Sequence, residues 1–120
     1  MTRPRILDTS ALLALHKGHP QLFHLLTRVE LGEVTLVIPA TVLAEANTTM
    51  QYTESEWEAI LLLAGITVTP LSQHIAVEVG TWLGDLATRH VVHEARAVRG
   101  VIVTCDPGAY KGYQVPLLVM

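Results

Sequence analysis

The sequence predicts an α/β fold, with a parallel sheet of about four to five strands and helices on both of its faces. Short apolar and β-branched runs alternate with longer segments in which apolar residues recur at helical spacing. Half of the residues are apolar and 16% are charged, which is enough for a packed core and excludes a disordered chain. The length of 120 residues predicts one domain over 1–120.

The first quarter of the chain predicts one strand and two helices. The apolar run at 5–7 predicts a strand, and Ser10 is the expected N-cap of a helix over 11–16. Leucines at helical spacing then predict a second helix over 21–31, which Gly32 ends.

Two strands and two helices follow in the middle of the chain. β-branched residues at 34–38 predict a buried strand, and the next segment predicts a helix over 41–50. Acidic residues near a helix start are favourable for the helix dipole, so we expect another helix over 53–64. The run at 66–69 predicts the third strand.

The last third of the chain repeats the same alternation. Apolar spacing predicts helices over 72–82 and 86–99, the second of which stops at Gly100. Apolar runs at 101–104 and 115–119 predict the fourth and fifth strands. Strands joined by helices in this way form parallel sheets, and ligands of such sheets bind outside the carboxyl ends of the strands.

Charge and cysteine content exclude several classes of protein. The formal net charge of −3 excludes a wholly basic nucleic-acid coat protein. The single cysteine, Cys105, excludes an intramolecular disulfide framework and a cysteine-built zinc cluster. No apolar run has the length of a membrane span, and Asp8 interrupts the first apolar stretch, so we expect no membrane segment, no signal peptide and a cytoplasmic protein.

Three acidic residues are expected at one edge of the sheet. Asp8 ends the first strand, Asp106 follows the fourth, and Glu45 lies in the helix after the second. Converging carboxylates repel one another unless a cation compensates, and Mg²⁺ or Mn²⁺ prefers oxygen ligands and activates water. Ser10 and Thr104 are expected to donate hydrogen bonds to these acids. Taken singly, Asp8 is better explained as a helix cap and Asp106 as part of an Asp-Pro-Gly turn, but the three acids taken together, with Glu45 in phase, favour a site.

The motifs that carry these acids resemble those of the PIN-domain family, including ribonuclease toxins of the VapC type. The resemblance rests on ILDTSAL at 6–12, IPATVLAE at 38–45 and VTCD at 103–106, in the family's order over nearly the whole chain. It implies a PIN-like three-layer fold and a Mg²⁺- or Mn²⁺-dependent endoribonuclease that holds the ion through Asp8, Glu45 and Asp106. It also implies a protein antitoxin and a homodimer.

One family position departs from this pattern. PIN-domain proteins usually carry a further Asp at the start of the helix before the last motif, and Thr88 stands there in this chain. Asp85, about 60° away on an ideal helix, is the better substitute as a metal ligand, whereas Glu94 lies about 120° off. Asp85 is equally explained by an ion pair with Arg89 on a solvated surface. Thr88 can hold a water molecule but cannot act as a general base.

Basic residues near the predicted site are candidates for binding RNA. One helical stripe contains Arg89, His93 and Arg96. Lys111 lies in a turn with Tyr110 and Tyr113, where bases of a single strand can stack. A solvated helix face and ordinary turn packing explain the same residues equally well. The candidate RNA-binding residues are Arg89, His93, Arg96 and Lys111.

The leading hypothesis is an endoribonuclease of a toxin–antitoxin system, in which a metal-activated water hydrolyses an RNA phosphodiester. A second hypothesis is a PIN-like module that has lost catalysis and binds RNA or a protein partner, and Thr88 motivates it. A third, a small phosphatase or receiver-like module, explains Asp8 but neither Glu45 nor the Thr-x-Asp motif. The sequence has no glycine-rich phosphate loop, which argues against a nucleotide-binding protein.

Overall fold

Five parallel strands form the central sheet in the computed structural model, which describes residues 2–63 and 65–120. Their order is β3-β2-β1-β4-β5, and Ile6 of the central strand pairs with Val37 on one side and Ile102 on the other. The strands are β1 (Arg5–Leu7), β2 (Leu36–Pro39), β3 (Ile66–Thr69), β4 (Val101–Thr104) and β5 (Leu117–Val119). The α/β fold class and the parallel sheet are confirmed.

Helices connect these strands and flank the sheet. They are α1 (Thr9–His16), α2 (Pro20–Glu30), α3 (Ala40–Met50), α4 (Glu54–Leu61), α5 (Gln73–Val79) and α6 (Leu86–Val98), and Pro107–Tyr110 forms a 3₁₀ turn. The Thr53 and Glu56 side chains form a reciprocal capping box at the start of α4. Ser10 does not cap α1 as predicted. Asp8 does so instead, because its backbone is extended and its carboxylate accepts a hydrogen bond from the Ala11 N–H.

Some bounds of the helices and strands differ from the prediction, and at the strands the cause is backbone pairing. β2 begins at Leu36 rather than at residue 34, because β1 pairs with it only from Arg5 onward. β5 begins after Pro116, which has no N–H to donate to a neighbouring strand. α5 ends at Val79, three residues before the predicted end. The predicted end of the fourth helix, at residue 64, lies outside the described residues.

The core lies between the central strands and the helices that cover them. Ile6, Ile38 and Ile102 are almost completely buried. α6 covers β1, β2 and β4 with an apolar stripe that includes Val91 and Val92, both fully buried. The two edge strands are less buried, since β3 and β5 each have two exposed residues.

The sheet order sets the position of the site. The chain moves outward from β1 to β2 and β3, then returns to the other side of β1 to form β4 and β5. The switch point therefore lies between β1 and β4, whose carboxyl ends are followed directly by Asp8 and closely by Asp106. Within residues 2–63 and 65–120, no helix is both long and apolar enough to cross a membrane.

Candidate active site

A pocket of about 230 Å³ opens at this switch point. Four carboxylates contribute to its lining, and the side chains come from the ends of β1 and β4, from α3 and from the start of α6. The lining includes Asp8, Glu45, Asp85, Asp106, Thr88 and Tyr110. The structure thus brings the three sequence-predicted acids together and adds Asp85 as a fourth.

Asp8 is the most constrained of the four acids. It is 5% exposed, and its Oδ1 accepts hydrogen bonds from the Ala11 N–H at 2.9 Å and the Ser10 hydroxyl at 2.7 Å. Its Oδ2 accepts a third hydrogen bond from the Tyr110 hydroxyl at 2.8 Å. Three donors fix the carboxylate in one orientation, with one lone pair of Oδ2 left to face the pocket. Asp8 therefore combines the helix-cap role with a place in the pocket.

Ser10 and Thr104 tie the two strand ends together. The Ser10 hydroxyl, which donates to Asp8, also accepts a hydrogen bond from the Cys105 N–H at 2.9 Å and lies 3.3 Å from the Thr104 hydroxyl. The fully buried Thr104 accepts from the Asp106 N–H at 2.9 Å, so it fixes the backbone of Asp106 rather than its carboxylate. Burial and the Asp8 charge raise the pKa of the Cys105 thiol, which argues against a nucleophilic role.

Asp85 reaches the pocket as the N-cap of α6. Its Oδ1 accepts a hydrogen bond from the Thr88 N–H at 2.8 Å. Arg89 contacts the Asp85 carbonyl rather than its carboxylate and donates to the Val79 carbonyl at 3.1 Å, so the alternative surface ion pair does not form. Thr88, three residues after Asp85, is 8% exposed and also lines the pocket. Glu94 lies elsewhere, in contact with His90.

The donor set of the pocket suits a hard divalent cation. Glu45, Asp85 and Asp106 are solvent-exposed, and no Lys, Arg or His is among the described residues that line the pocket with them. Across the described residues, no three His, Cys, Asp or Glu side chains stand close enough to chelate one ion directly. Mg²⁺ usually keeps several waters and binds one or two carboxylates, so these oxygens fit a hydrated ion rather than a closed cage.

Tyr110 is the site residue whose role sequence reasoning missed. The prediction considered base stacking in an exposed turn, but the side chain is 3% exposed and its hydroxyl contacts Asp8. Burial, followed by the charge and hydrogen bond of Asp8, holds the pKa of Tyr110 well above its ordinary value of 10. The phenol therefore stays protonated and always donates. No spacing in the sequence signals this contact, which joins residues 102 positions apart.

The candidate RNA-binding residues do not form one free stripe. Arg89 is half-buried against the carbonyls that end α5, and His93 lies 3.4 Å from Glu78. The Arg96 guanidinium stacks over the rings of Trp82 and Tyr113 at 5.3 and 5.6 Å. Of the four candidates, only Lys111 lies in the exposed turn after the site.

A second polar cluster lies inside the protein and was not predicted. His90 is fully buried, with its Nδ1 2.8 Å from the Thr41 hydroxyl and its Nε2 3.1 Å from Glu94, which is 6% exposed. Burial lowers the pKa of His90, while the Glu94 charge opposes the shift. The cluster joins α3 to α6, the two helices that carry Glu45 and Thr88.

Comparison with known proteins bears on the fold. No protein-family model and no curated protein matches the chain. A solved structure does match: a chain of VapBC2 from Rickettsia felis, crystallised bound to a DNA fragment from its promoter. The match has a TM-score of 0.65 and 17% sequence identity, and covers 97% of this chain and 98% of that one. This likeness shows the fold. The fold is thus shared with a chain of VapBC2 over nearly the full length of both chains.

Proposed function

We propose that this protein is a metal-dependent endoribonuclease of a toxin–antitoxin system, built on a PIN-like domain over 1–120. The observation that carries the proposal is the single pocket in which Asp8, Glu45, Asp85 and Asp106 meet at the switch point of the sheet. The fold likeness to a chain of a VapBC2 complex supports the toxin–antitoxin class. The motifs that carry the acids support the nuclease chemistry.

The proposal assigns a role to each of the following polar residues at the site. Asp8, Glu45 and Asp106 would hold a hydrated Mg²⁺ or Mn²⁺, with Asp85 contributing its free oxygen, and the water molecules of the ion would bridge to the carboxylates that do not reach it directly. A bound ion supplies positive charge against the phosphate and acidifies its water, as divalent ions do in other hydrolases. Ser10 keeps the Asp8 carboxylate in one orientation, and Thr104 fixes the turn that presents Asp106. The Thr88 hydroxyl orients a water molecule, since it has no charge with which to deprotonate it.

The test is cleavage of a mixed RNA pool by the purified protein with Mn²⁺ and with EDTA. Asp106→Asn is the variant to compare, because Asp106 is exposed and its carboxylate accepts no hydrogen bond within the described residues. Glu58→Gln, an equally exposed neutralisation on α4, is the matched control. We expect cleavage by wild type and Glu58→Gln only with metal, and a loss of at least about 10- to 100-fold in Asp106→Asn. Cleavage that survives EDTA or Asp106→Asn contradicts the proposal.

A partner surface supports the antitoxin part of the proposal. An apolar groove of about 210 Å³ lies between α1, α2 and the segment after α3, and it includes Phe23, which is 50% exposed. Its other apolar lining residues include Leu12, Leu15, Leu26, Met50 and Tyr52. Such a groove accepts the apolar face of a helix, and we propose that a helix of the antitoxin binds there. We also propose that the protein acts as a homodimer in the cytoplasm. Co-purification with the product of a neighbouring gene is the test.

A catalytically impaired module that binds RNA or a protein partner is the second candidate. Thr88 stands where an acid is expected, and the Asp85 carboxylate already accepts the Thr88 N–H at 2.8 Å. Under this candidate the folded protein cleaves no RNA with any metal, and Thr88→Asp creates cleavage. The inactive wild type together with an active Thr88→Asp variant decides between the two functions.

A further inference from the structure

A second pocket, of about 320 Å³, lies at the opposite end of α6 from the carboxylates. It collects three of the chain's eight Lys and Arg residues, Arg3, Arg96 and Arg99, together with Gln114. No carboxylate is among its described lining residues, and none of the three arginines forms an ion pair with a described residue. We call this the arginine pocket.

Backbone geometry places Arg99. α6 ends at Val98, and Arg99 follows in the left-handed conformation with φ of 53°. Glycine is the usual residue there, because a side chain in that conformation costs roughly 1 kcal/mol or more. Gly100 then lets the chain pass the Pro4 carbonyl, which a Cβ at that position would approach to 2.8 Å. The chain thus keeps an exposed arginine where the fold favours glycine.

Aromatic rings hold Arg96 in place. The Arg96 guanidinium lies over Trp82 and Tyr113, whose ring centroids are 6.4 Å apart. Stacking of this kind fixes the plane of the guanidinium and leaves its N–H groups free to donate. Trp82 and Tyr113 are themselves partly exposed, and they lie beside the arginine pocket rather than in its lining.

We infer that the arginine pocket binds a backbone phosphate of the RNA strand at a distance from the site of cleavage. The guanidinium fork matches a phosphate, and neighbouring rings suit the bases of a single strand. α6 has 13 residues and is about 20 Å long. An RNA strand that reaches both pockets therefore has several nucleotides between them. The protein carries a net charge of −3 and four acids at its proposed site, so a polyanion needs a local cationic contact.

This inference rests on the proposed function for the identity of the strand, but its test needs no cleavage. The probe is a fluorescein-labelled oligouridylate, and its binding is measured by anisotropy in EDTA over a series of salt concentrations. Arg99→Gly is the decisive variant, because it removes the cation and relieves the left-handed backbone at once. We expect equal or higher thermal stability, about tenfold weaker binding, and a salt slope smaller by roughly 0.7.

Two controls isolate the cation from its side effects. Gln51→Gly relieves the other left-handed non-glycine position, at the end of α3 with φ of 54°, without changing charge. Lys17→Gln removes one exposed positive charge at the end of α1, away from the arginine pocket. Both controls are expected to bind the oligouridylate as wild type does, whereas Arg96→Gln is expected to weaken binding as Arg99→Gly does.

The outcomes separate this inference from the proposed function. If Arg99→Gly and Arg96→Gln bind RNA like wild type while wild type cleaves RNA, the inference is wrong and the nuclease stands. If binding depends on both arginines but the folded wild type never cleaves, the nuclease is wrong and the arginine pocket is an RNA site. If the variants lose binding of an acidic protein partner but not of RNA, the pocket is a protein interface and the inference is overturned.

Discussion

The two ends of α6 carry opposite charges and are built in different ways. At its N-terminal end Asp85 caps the helix beside the buried Asp8, which three hydrogen-bond donors hold in place. At its C-terminal end Arg96 and Arg99 are exposed and pair with no described carboxylate. Both arrangements agree with the helix dipole, which favours anions at the start and cations at the end.

This difference indicates at which end of α6 a substitution that changes function also changes stability. The carboxylate end is fixed by hydrogen bonds that also hold α1 and the 3₁₀ turn, so changes at Asp8 or Tyr110 affect stability as well as any chemistry. At the arginine end, Gly100 fixes the backbone and the Trp82 and Tyr113 rings hold Arg96, while the arginine side chains are exposed. Side-chain changes there are expected to alter binding without unfolding the protein.

The largest expected change in stability comes from a substitution at the carboxylate end of α6. Asp8→Ala removes the helix cap and leaves the Ala11 N–H and the buried Tyr110 hydroxyl without their acceptor. We expect a loss of about 2–4 kcal/mol in the free energy of unfolding, measured by urea denaturation, together with all cleavage. Asp106→Ala, which removes an exposed acid from the same pocket, should change stability by less than about 0.5 kcal/mol. Equal stability of both variants would show that the Asp8 contacts contribute nothing.

The next effect concerns the backbone of the arginine end. Gly100→Ala places a Cβ 2.8 Å from the Pro4 carbonyl oxygen and 3.1 Å from the Ile6 side chain. Because the close neighbour is backbone, β1 or the end of α6 must shift, and we expect a loss of about 1–3 kcal/mol in unfolding free energy. Gly100 does not have a positive φ, so its expected loss comes from the close contacts and not from backbone strain. Gly32→Ala, where φ is +74° and no atom lies within 4 Å of the added Cβ, measures the cost of backbone strain alone for comparison. A Gly100→Ala protein as stable as wild type contradicts the close approach.

A smaller effect tests the link between Tyr110 and Asp8. Tyr110→Phe keeps the packing and removes the hydroxyl that donates to Asp8 Oδ2. Hydrogen bonds to charged groups contribute about 1.5–3 kcal/mol, and the pocket admits water to the freed oxygen, so we expect a loss near the lower value. Thermal unfolding with and without Mn²⁺ checks this, because a bound cation should recover part of the loss. A loss unchanged by Mn²⁺ would separate Tyr110 from the proposed metal site.

The smallest effect lies midway along α6 and depends on pH. His90 faces Thr41, Glu94, His93 and the carbonyl of Pro70, and burial lowers its pKa from the ordinary value of 6.5. Below pH 6.5 the unfolded chain binds a proton that folded His90 does not, so stability is complete above that pH and falls below it. The slope for this group is at most about 1.4 kcal/mol per pH unit.

Urea unfolding between neutral and mildly acidic pH, compared for wild type and His90→Gln, isolates this contribution from the other histidines. We expect the wild type to lose stability faster than His90→Gln as the pH falls. Parallel curves for the two proteins would mean that His90 takes up its proton equally in the folded and unfolded states.

Local patterns in the sequence predict most of the secondary structure correctly, and the errors have local causes. Strand β4 and the start of α6 agree with the prediction because β-branched runs and helical periodicity are properties of adjacent residues. The sequence offers both Ser10 and Asp8 as the cap of α1, since either residue type can occupy the position. Only the backbone conformation at Asp8 decides between them.

The candidate site was predictable in part. An acid after a buried strand is unusual, and parallel strands end at one edge, so the meeting of Asp8, Glu45 and Asp106 follows from the sequence. Asp85 was an open choice between pocket and surface, because its position depends on how the chain enters α6. Its carboxylate faces the Thr88 N–H and the pocket, while Arg89 turns to the carbonyls of α5.

By itself the sequence determined the α/β class, the order of the elements and the acids at the strand ends, because these depend on periodicity and on residue type along the chain. The tertiary structure alone decided which distant groups meet. Tyr110 donates to Asp8 across 102 positions, and His90 meets Thr41 across 49. The arginine pocket likewise joins the N-terminus to the end of α6 and the approach to β5. Such contacts depend on the strand order, which places residues side by side regardless of their separation in the chain.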